Sequence, residues 1–541
     1  MGTGGLSAAG LAILGALVAP AGLHAGDQPQ WGQRHSRNMV SPEKGLPDSF
    51  DPATGRGVKW TARLGTATYG TPVVAAGKVL IGTNSGVPRD PRHKGDRGVL
   101  MCFDAATGAL AWQLVVPKLR TPKWGDFQNC GITSSPTVEG DRAYLVTNRF
   151  EVACLDLDGL ADGNDGPFAD EGRHMAEPGQ ADLEVSPLDA DIVWLCDMVR
   201  EAGINPHNAA NAAPLLDGNV LYVGTSNGVD PSHRTVPAPE APSLIALDKR
   251  SGRILGRDNF GIGPLLFHGQ WSSPSLGEAG GRRLVVFGGG NGVVYAAEAL
   301  DPGGAAANPG GAGPRPGADP PALFREVWRF DCDPAGPKVN PTSFHNNRRE
   351  GPSTIIGSPV FVDGRVYVCA GGDYWHGKRQ SWLKCIAADR SGDVTASAEV
   401  WSYAMDRHTT ATPSVSGGLV CVTDAAGGVH CVDAATGRRV WFHQARGETW
   451  GSALVADGRV YVGTGGKRLL VLAAGREARV IAEAELDAPI QSTPVAAGGV
   501  LYVATYKTLY AFQADGPPTL RPWPQVRPDR ALPLAAARRP A

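Results

Sequence analysis

The sequence predicts an all-β fold: an eight-bladed β-propeller of four-stranded antiparallel blades, with the ring closed by the N-terminal strand. Three observations carry this. A strand-and-turn phrase recurs eight times, a tryptophan closes most of the repeats, and one strand missing from the last repeat stands at the front of the chain. Self-similarity at a fixed period is the signature of repeat architectures, and it overrides a domain count taken from length alone.

The phrase reads Ser/Thr-Pro, a few apolar residues, Gly, then Val-Tyr-Val. Compare Gly357-Ser-Pro-Val-Phe-Val-Asp-Gly-Arg-Val-Tyr-Val368 with Gly451-Ser-Ala-Leu-Val-Ala-Asp-Gly-Arg-Val-Tyr-Val462. Its starts fall at Pro72, Pro136, Pro214, Pro274, Pro359, Pro413, Ala453 and Pro494. Tyr144, Tyr222, Tyr367, Tyr461 and Tyr502 hold one equivalent slot, and Leu80 and Cys421 fill it in two other units. Alternating apolar segments follow each phrase, the period of strands. Turns such as Asp104-Ala-Ala-Thr-Gly108 and Asp433-Ala-Ala-Thr-Gly437 come next, because Asp bonds its own backbone and Gly accepts positive φ. Trp112, Trp194, Trp328, Trp401 and Trp441 close their units. The shortest spacings, Pro413 to Ala453 and Ala453 to Pro494, are about 40 residues, the length of four strands with tight turns. The last unit ends near Phe512 without a Trp strand. Asp51-Pro-Ala-Thr-Gly55 and Val58-Lys-Trp60 supply it, which removes the open edges of an unclosed array.

Composition excludes several classes. The chain has 541 residues, 19% of them charged, and a formal net charge of −2, so it lacks the basic excess that neutralises phosphates; nucleic acid is not an expected partner. No stretch of the mature chain is long and apolar enough for a transmembrane segment. Residues 6–18 form a short apolar run followed by small residues through Ala25, which reads as a secretory signal peptide over 1–25, although no Lys or Arg precedes the run. A periplasmic or secreted location follows. Residues 26–54 then form a lead-in and 55–513 the propeller, with insertions near 156–190 and 301–321. Residues 514–541 are a Pro/Arg-rich tail expected to be disordered. The nine cysteines include Cys102, Cys154 and Cys431 at one recurring strand position, which argues for small core residues rather than a disulfide ladder.

The recurring turn and closing Trp resemble those of the pyrroloquinoline-quinone-like (PQQ-like) propellers, over roughly residues 55 to 513. Asn205-Pro-His-Asn-Ala-Ala-Asn211 and Phe267-His-Gly-Gln-Trp-Ser-Ser-Pro274 are similar to a secreted bacterial branch of that family. The resemblance implies one of two roles. One is a non-catalytic binding or scaffold protein, as in the lipoprotein of the outer-membrane barrel-assembly machine. The other is a PQQ-dependent alcohol or sugar dehydrogenase, in which the funnel holds the quinone and Ca²⁺. The vicinal Cys-Cys pair and the CxxCH haem site common in such dehydrogenases are absent, as is the lipid-bearing Cys of the assembly lipoprotein. Fold alone does not choose between them, and binding is the favoured reading.

Innermost strands of a propeller run parallel to one another around the axis. Side chains just before them therefore gather at one end of the channel, together with the turns between second and third strands. The first set contains Tyr69, Asn129, His207, Asn208, His268, Gln270, Trp271, His345, Arg348, Asp406, Arg407, His408, Glu448, Trp450 and Gln491. The second contains His93, His233 and Asp373-Tyr-Trp-His376. Convergent polar groups with aromatics at a ring mouth are what ligand sites look like. The expected ligand-binding set is His207, Asn208, His268, Gln270, Trp271, Arg407, His408, Glu448, Trp450 and Gln491, facing a small molecule, carbohydrate or protein. His207, His268 and His408 should share one face with Gln270 and Trp450 nearby, and burial should lower their pKa values. Trp271 and Trp450 suit stacking on a planar or sugar ring. Asp406 and Glu448 are the acids this reasoning places at the inner rim. The acidic stretch from Asp156 to Glu171 has the oxygen-rich, Gly-bent character of a Ca²⁺ loop, but Pro167 stands where an EF-hand needs Glu, so a solvated insertion is expected.

Overall fold

The computed structural model describes residues 26–121, 124–303 and 320–514. The expected leader, most of the 301–321 insertion and the tail beyond 514 lie outside the described residues. Eight antiparallel sheets form the ring. Their innermost strands are Val73–Ala75, Thr137–Glu139, Leu215–Asp217, Ser275–Ala279, Val360–Val362, Ser414–Ser416, Leu454–Ala456 and Val495–Ala497, and we number blades 1 to 8 in that order. Each begins one residue after a phrase start. The recurring Tyr slot lies directly across from the first residue of the innermost strand, as in Thr137 to Tyr144 and Leu215 to Tyr222.

Blade 8 takes its outer strand from the front of the chain. Val58–Arg63 pairs antiparallel with Thr508–Gln513, in the register Trp60 to Ala511 and Arg63 to Thr508. The seam is locked a second time, because the indole N–H of Trp60 donates to the Ala105 carbonyl of blade 1 at 3.0 Å. The other closing tryptophans repeat this contact with the following blade. Trp112 donates to Leu157 O, Trp194 to Lys249 O, Trp328 to Ala388 O, Trp401 to Ala434 O and Trp441 to Gly475 O, at 2.8–3.0 Å. All are buried. In every blade a bulge in the outer strand pair falls beside this position, which re-aims the side chain at its neighbour.

The turn glycine is the other half of the contact. Gly108 and Gly437 have φ of +73° and +68°, and a Cβ there would lie 2.7 Å from the Trp60 ring and 2.6 Å from the Trp401 ring. Only glycine fits both the left-handed backbone and the approaching indole. Two blades have a small residue at the Trp position, Gly256 opposite Ala246 and Ala482 opposite Val471. The gaps are filled from elsewhere. Phe324, just after the 301–321 insertion, packs over Gly256, and Phe50 of the lead-in stacks on Phe512 at 4.6 Å.

The cysteines are all free, and all but the half-buried Cys130 are buried. Cys102, Cys154, Cys385 and Cys431 lie opposite a closing Trp.

The lead-in does more than connect. It runs around one end of the channel and bonds to the second residue of successive innermost strands. The backbones of Gln28 and Val74 exchange hydrogen bonds, and Val138, Leu276, Phe361 and Val455 donate to Pro29, His35, Ser36 and Met39. Asn38 exchanges two hydrogen bonds with the Val415 backbone, Val40–Ser41 pairs with Val455–Ala456, and Ser41 donates to Ala496 O. At the centre stands Arg37, fully buried. Its guanidinium donates to the carbonyls of Trp31, Ala213, Pro214 and Pro274 at 2.7–3.0 Å. Burial pulls its pKa down to about 9. The channel is therefore closed at this end. No helix among the described residues is long and apolar enough to cross a membrane.

Two stability predictions follow from these contacts. Trp328→Ala should cost about 3–5 kcal/mol, the range for a large aromatic deleted from a core, measured by reversible denaturant unfolding. A cost under about 1 kcal/mol would show that inter-blade docking is not load-sharing at that seam. Arg37→Met keeps the volume but leaves four carbonyls without their donor, and should cost about 2–4 kcal/mol in the same assay; an unchanged unfolding midpoint would remove the guanidinium from any closing role.

Candidate functional site

The open end of the channel is a cup of about 270 Å³ lined by loops from all eight blades. Trp31 of the lead-in belongs to it, with its indole N–H on Thr493 Oγ1 at 3.4 Å. Tyr69, Trp271, Trp375 and Trp450 supply aromatic surface. Trp375 lies 5.4 Å from Trp271 and 5.5 Å from Trp450, ring to ring, so the three indoles form one continuous wall. Asn208, Asn211 and Gln491 bring amides, and no charged side chain is among the described residues lining the cup. Four polar atoms on lining residues are buried without a hydrogen-bond partner: Asn208 Oδ1, Asn211 Oδ1, Gln491 Oε1 and Trp450 Nε1. Such atoms are rare in folded proteins and each needs an explanation.

Beside the cup, on blades 3 to 5, five imidazoles meet. His207 and His268 are 4.9 Å apart, ring centre to ring centre. His233 lies 4.9 Å from His207, 5.0 Å from His268 and 4.9 Å from His376, and His345 stacks on His376 at 3.9 Å. His207 and His268 are buried; the other three are half-buried. His207 and His268 precede the innermost strands of blades 3 and 4, and His345 precedes that of blade 5. His233 and His376 come from second-to-third-strand turns of blades 3 and 5.

Local chemistry aims each ring. Asp230 accepts from the backbone N–H of Ser232, Arg234 and Thr235, folding a tight turn with His233 at its tip in the left-handed region, φ +58°. Asp373, fully buried, caps its own turn by accepting from the N–H groups of Trp375 and His376 at 3.0 and 2.8 Å. Its other oxygen holds His268 Nδ1 at 3.0 Å. Burial pushes the Asp373 carboxyl up, but His268 and the His376 amide outweigh it and hold the group below the usual carboxylate range. Arg348 clamps the same turn through the carbonyls of Tyr374, Trp375 and Gly377. Burial and the facing imidazoles pull His207 down to about 2, His376 to about 3 and His233 to about 4.

The expected site residues divide. His207, Asn208, His268, Trp271, Trp450 and Gln491 lie in the cup or the cluster, and Asn208 Nδ2 joins the two at 3.3 Å from His268 Nε2. His408 lies away from the five, with its ring 5.7 Å from Tyr374, and burial lowers its pKa. Gln270 turns inward. Its amide donates to Ser243 Oγ and accepts from Gly290 N, which uses it up as a brace between loops. Arg407 and Asp406 are exposed, and Arg407 bonds back to the Asp406 carbonyl. Glu448 is exposed on the rim, where it accepts from Tyr374 Oη at 3.0 Å. The expected set omitted Asp373, His233, His345, His376 and Trp375, although the loops carrying them were the ones singled out. His93 sits apart in blade 1, 3.8 Å from Asp90.

Two acidic groups are already neutralised by the chain. Asp156 and Asp158 pair with Arg142 and Lys78, and Asp90 and Asp189 pair with Arg92.

The sequence matches the family model described as outer membrane protein assembly factor BamB over residues 44–255 and 379–479, more than half of the chain. The chain belongs to that family, one of PQQ-like propellers. A comparison with curated protein sequences finds no match. Among solved structures, BamB from Moraxella catarrhalis is similar at 13% identity, over 84% of this chain and 97% of that one, with a TM-score of 0.50. The quinohemoprotein alcohol dehydrogenase ADHIIG from Pseudomonas putida HK5 is similar at 12% identity, over 95% and 83%, with a TM-score of 0.56. At these identities the likeness is one of fold.

Proposed function

We propose that this member of the BamB-type PQQ-like propeller family is an exported, non-catalytic binding protein whose cup takes a neutral, hydroxyl-bearing ring, a carbohydrate. The observation that carries this is the combination of an indole wall with the amide residues Asn208, Asn211 and Gln491 on an uncharged lining. A sugar offers an apolar C–H face to stack on Trp and hydroxyls that both donate to and accept from amide side chains. Closure of the far end by Arg37 and Trp31 makes the cavity one-ended, which suits a small ligand or the tip of a chain.

The dehydrogenase alternative does not fit these residues. PQQ is a polycarboxylate and its Ca²⁺ is an oxygen-seeking cation, so their site needs cationic and carboxylate side chains. The described lining has neither, and Glu448 and Asp406 face solvent.

Export rests on the leader-like run before Ala25. The lead-in begins bonding the ring at Asp27, whose carboxylate accepts from Ala76 N, so cleavage near Ala25 leaves the closing segment intact. Mass analysis of the protein recovered from the periplasm or medium should give a start near Gly26. An intact Met1 on cytoplasmic protein would overturn the assignment.

Binding is checked by indole fluorescence during titration with a panel of neutral mono- and disaccharides. Trp450→Ala should weaken the best of them by about 1 kcal/mol, roughly fivefold, with folding unchanged by circular dichroism. No fluorescence response to any saccharide, or equal binding by the variant, would end the carbohydrate reading.

A further inference from the structure

We propose that the five-histidine cluster is a metal site, holding one divalent first-row transition ion of the Zn²⁺ class on His207, His233 and His268. It stands on side-chain geometry and is independent of the carbohydrate reading.

The ligand atoms converge. One ring nitrogen from each of His207, His233 and His268 lies within 4.8 Å of the other two, and the same holds for His233, His345 and His376. His233, at the tip of the Asp230 turn, belongs to both trios. The chain itself satisfies these nitrogens poorly. His207 Nε2 and His345 Nε2 are buried with no hydrogen-bond partner. Three ring nitrogens within 4.8 Å of one another, with few partners from the chain, suit a shared cation.

The donor set names the class of ion. Imidazole nitrogen suits Zn, Cu, Fe and Ni, whereas Ca²⁺ and Mg²⁺ take oxygen ligands. No carboxylate or thiolate joins the two trios. The one acid in contact is Asp373, and it stands behind a ligand: its carboxylate accepts from His268 Nδ1, which fixes the proton there and makes Nε2 the acceptor nitrogen; Asn208 Nδ2 donates to it at 3.3 Å, a contact that a bound metal would replace. His376 is oriented in the same way, with Nδ1 on Asn346 Oδ1 at 3.1 Å. Three imidazoles leave coordination positions for His376, His345 or solvent, and the half-buried rim admits the ion.

The experiment uses tag-free protein, stripped with a chelator and dialysed against a small excess of Zn²⁺, with metal counted by mass spectrometry and affinity measured against a chromophoric chelator. Wild type should retain one Zn²⁺ per chain. Co²⁺ loaded in its place should show ligand-field bands without the charge-transfer band of a thiolate, since the cysteines lie elsewhere. His233→Ala removes the ligand common to both trios from an exposed turn, so it should weaken binding by about 100-fold or more while leaving the metal-free circular dichroism spectrum unchanged. Asp373→Asn keeps an oxygen to cap its turn but offers His268 Nδ1 a donor, which forces the proton to Nε2; affinity should fall about 10–100-fold with no ligand removed. His443→Ala, on the outer strand of blade 6, should bind as wild type. Zn²⁺ lost on dialysis from the wild type, or retained equally by His233→Ala, would show that the cluster is a packing feature only.

Discussion

The constraint on which the molecule depends is the inner edge of its own ring. Eight short innermost strands each turn an unpaired backbone edge toward the axis, and buried N–H and C=O groups must find partners. At one end the lead-in supplies them, residue by residue, and Arg37 serves the carbonyls of blades 3 and 4 that its backbone does not reach. Burying a guanidinium without a carboxylate is costly, and it is tolerated because every direction it points meets a carbonyl. Closing that end turns a pore into a cup. The other end is left to the loops before the same strands, and the chemistry collects there.

Around the circumference a different rule operates. The closing Trp and the turn Gly are one contact written in two places of the repeat, the indole of one blade sitting on the glycine of the next. That explains why the two features recur together. It also explains how two blades manage without the Trp: Phe50 and Phe324 arrive from segments outside the repeat to occupy the same seams. Conversion of a Trp seam to a Phe seam needs an extra piece of chain, which is where the lead-in and one insertion gain a structural role.

The blades were legible because period-two apolar segments, Pro starts and Asp-Gly turns repeat in register, and the displaced strand at Val58–Arg63 could be counted as missing from the end. The convergence of His207 and His268 was legible from topology alone, since both precede innermost strands. What lay beyond the sequence was direction. Gln270 stands two residues from His268 yet turns into the blade to brace Ser243 and Gly290. His233 enters the cluster because Asp230 winds its turn through a left-handed residue. His376 and Trp375 do so because a buried Asp373 caps theirs. These outcomes depend on turn geometry and on partners far along the chain, which spacing does not record. The closing role of residues 26–43 was equally hidden, for the segment has no repeat and its contacts are mostly backbone to backbone.

Strained and unsatisfied groups occur throughout the ring, and a share of them gathers at the cup. Across the blades the strand ladders satisfy the backbone and the core is apolar. Around the cup, non-glycine residues adopt left-handed backbone at Trp124, Asn129, Asn208, His233, Asn340 and Asn346, and orphaned polar atoms gather on Asn208, Asn211, His207, His345, Trp450 and Gln491. Others lie in blade hairpins and loops, at Ala76, Phe150, Asp363 and Asp457 and on His93, Asn148 and Asp191, so strain points to the site only together with the convergence of side chains. Asn208 sits on the boundary: it lines the cup, is left-handed, leaves its oxygen unpaired and sets its amide nitrogen on His268. One side chain thus forms part of the wall between the aromatic cup and the imidazole cluster.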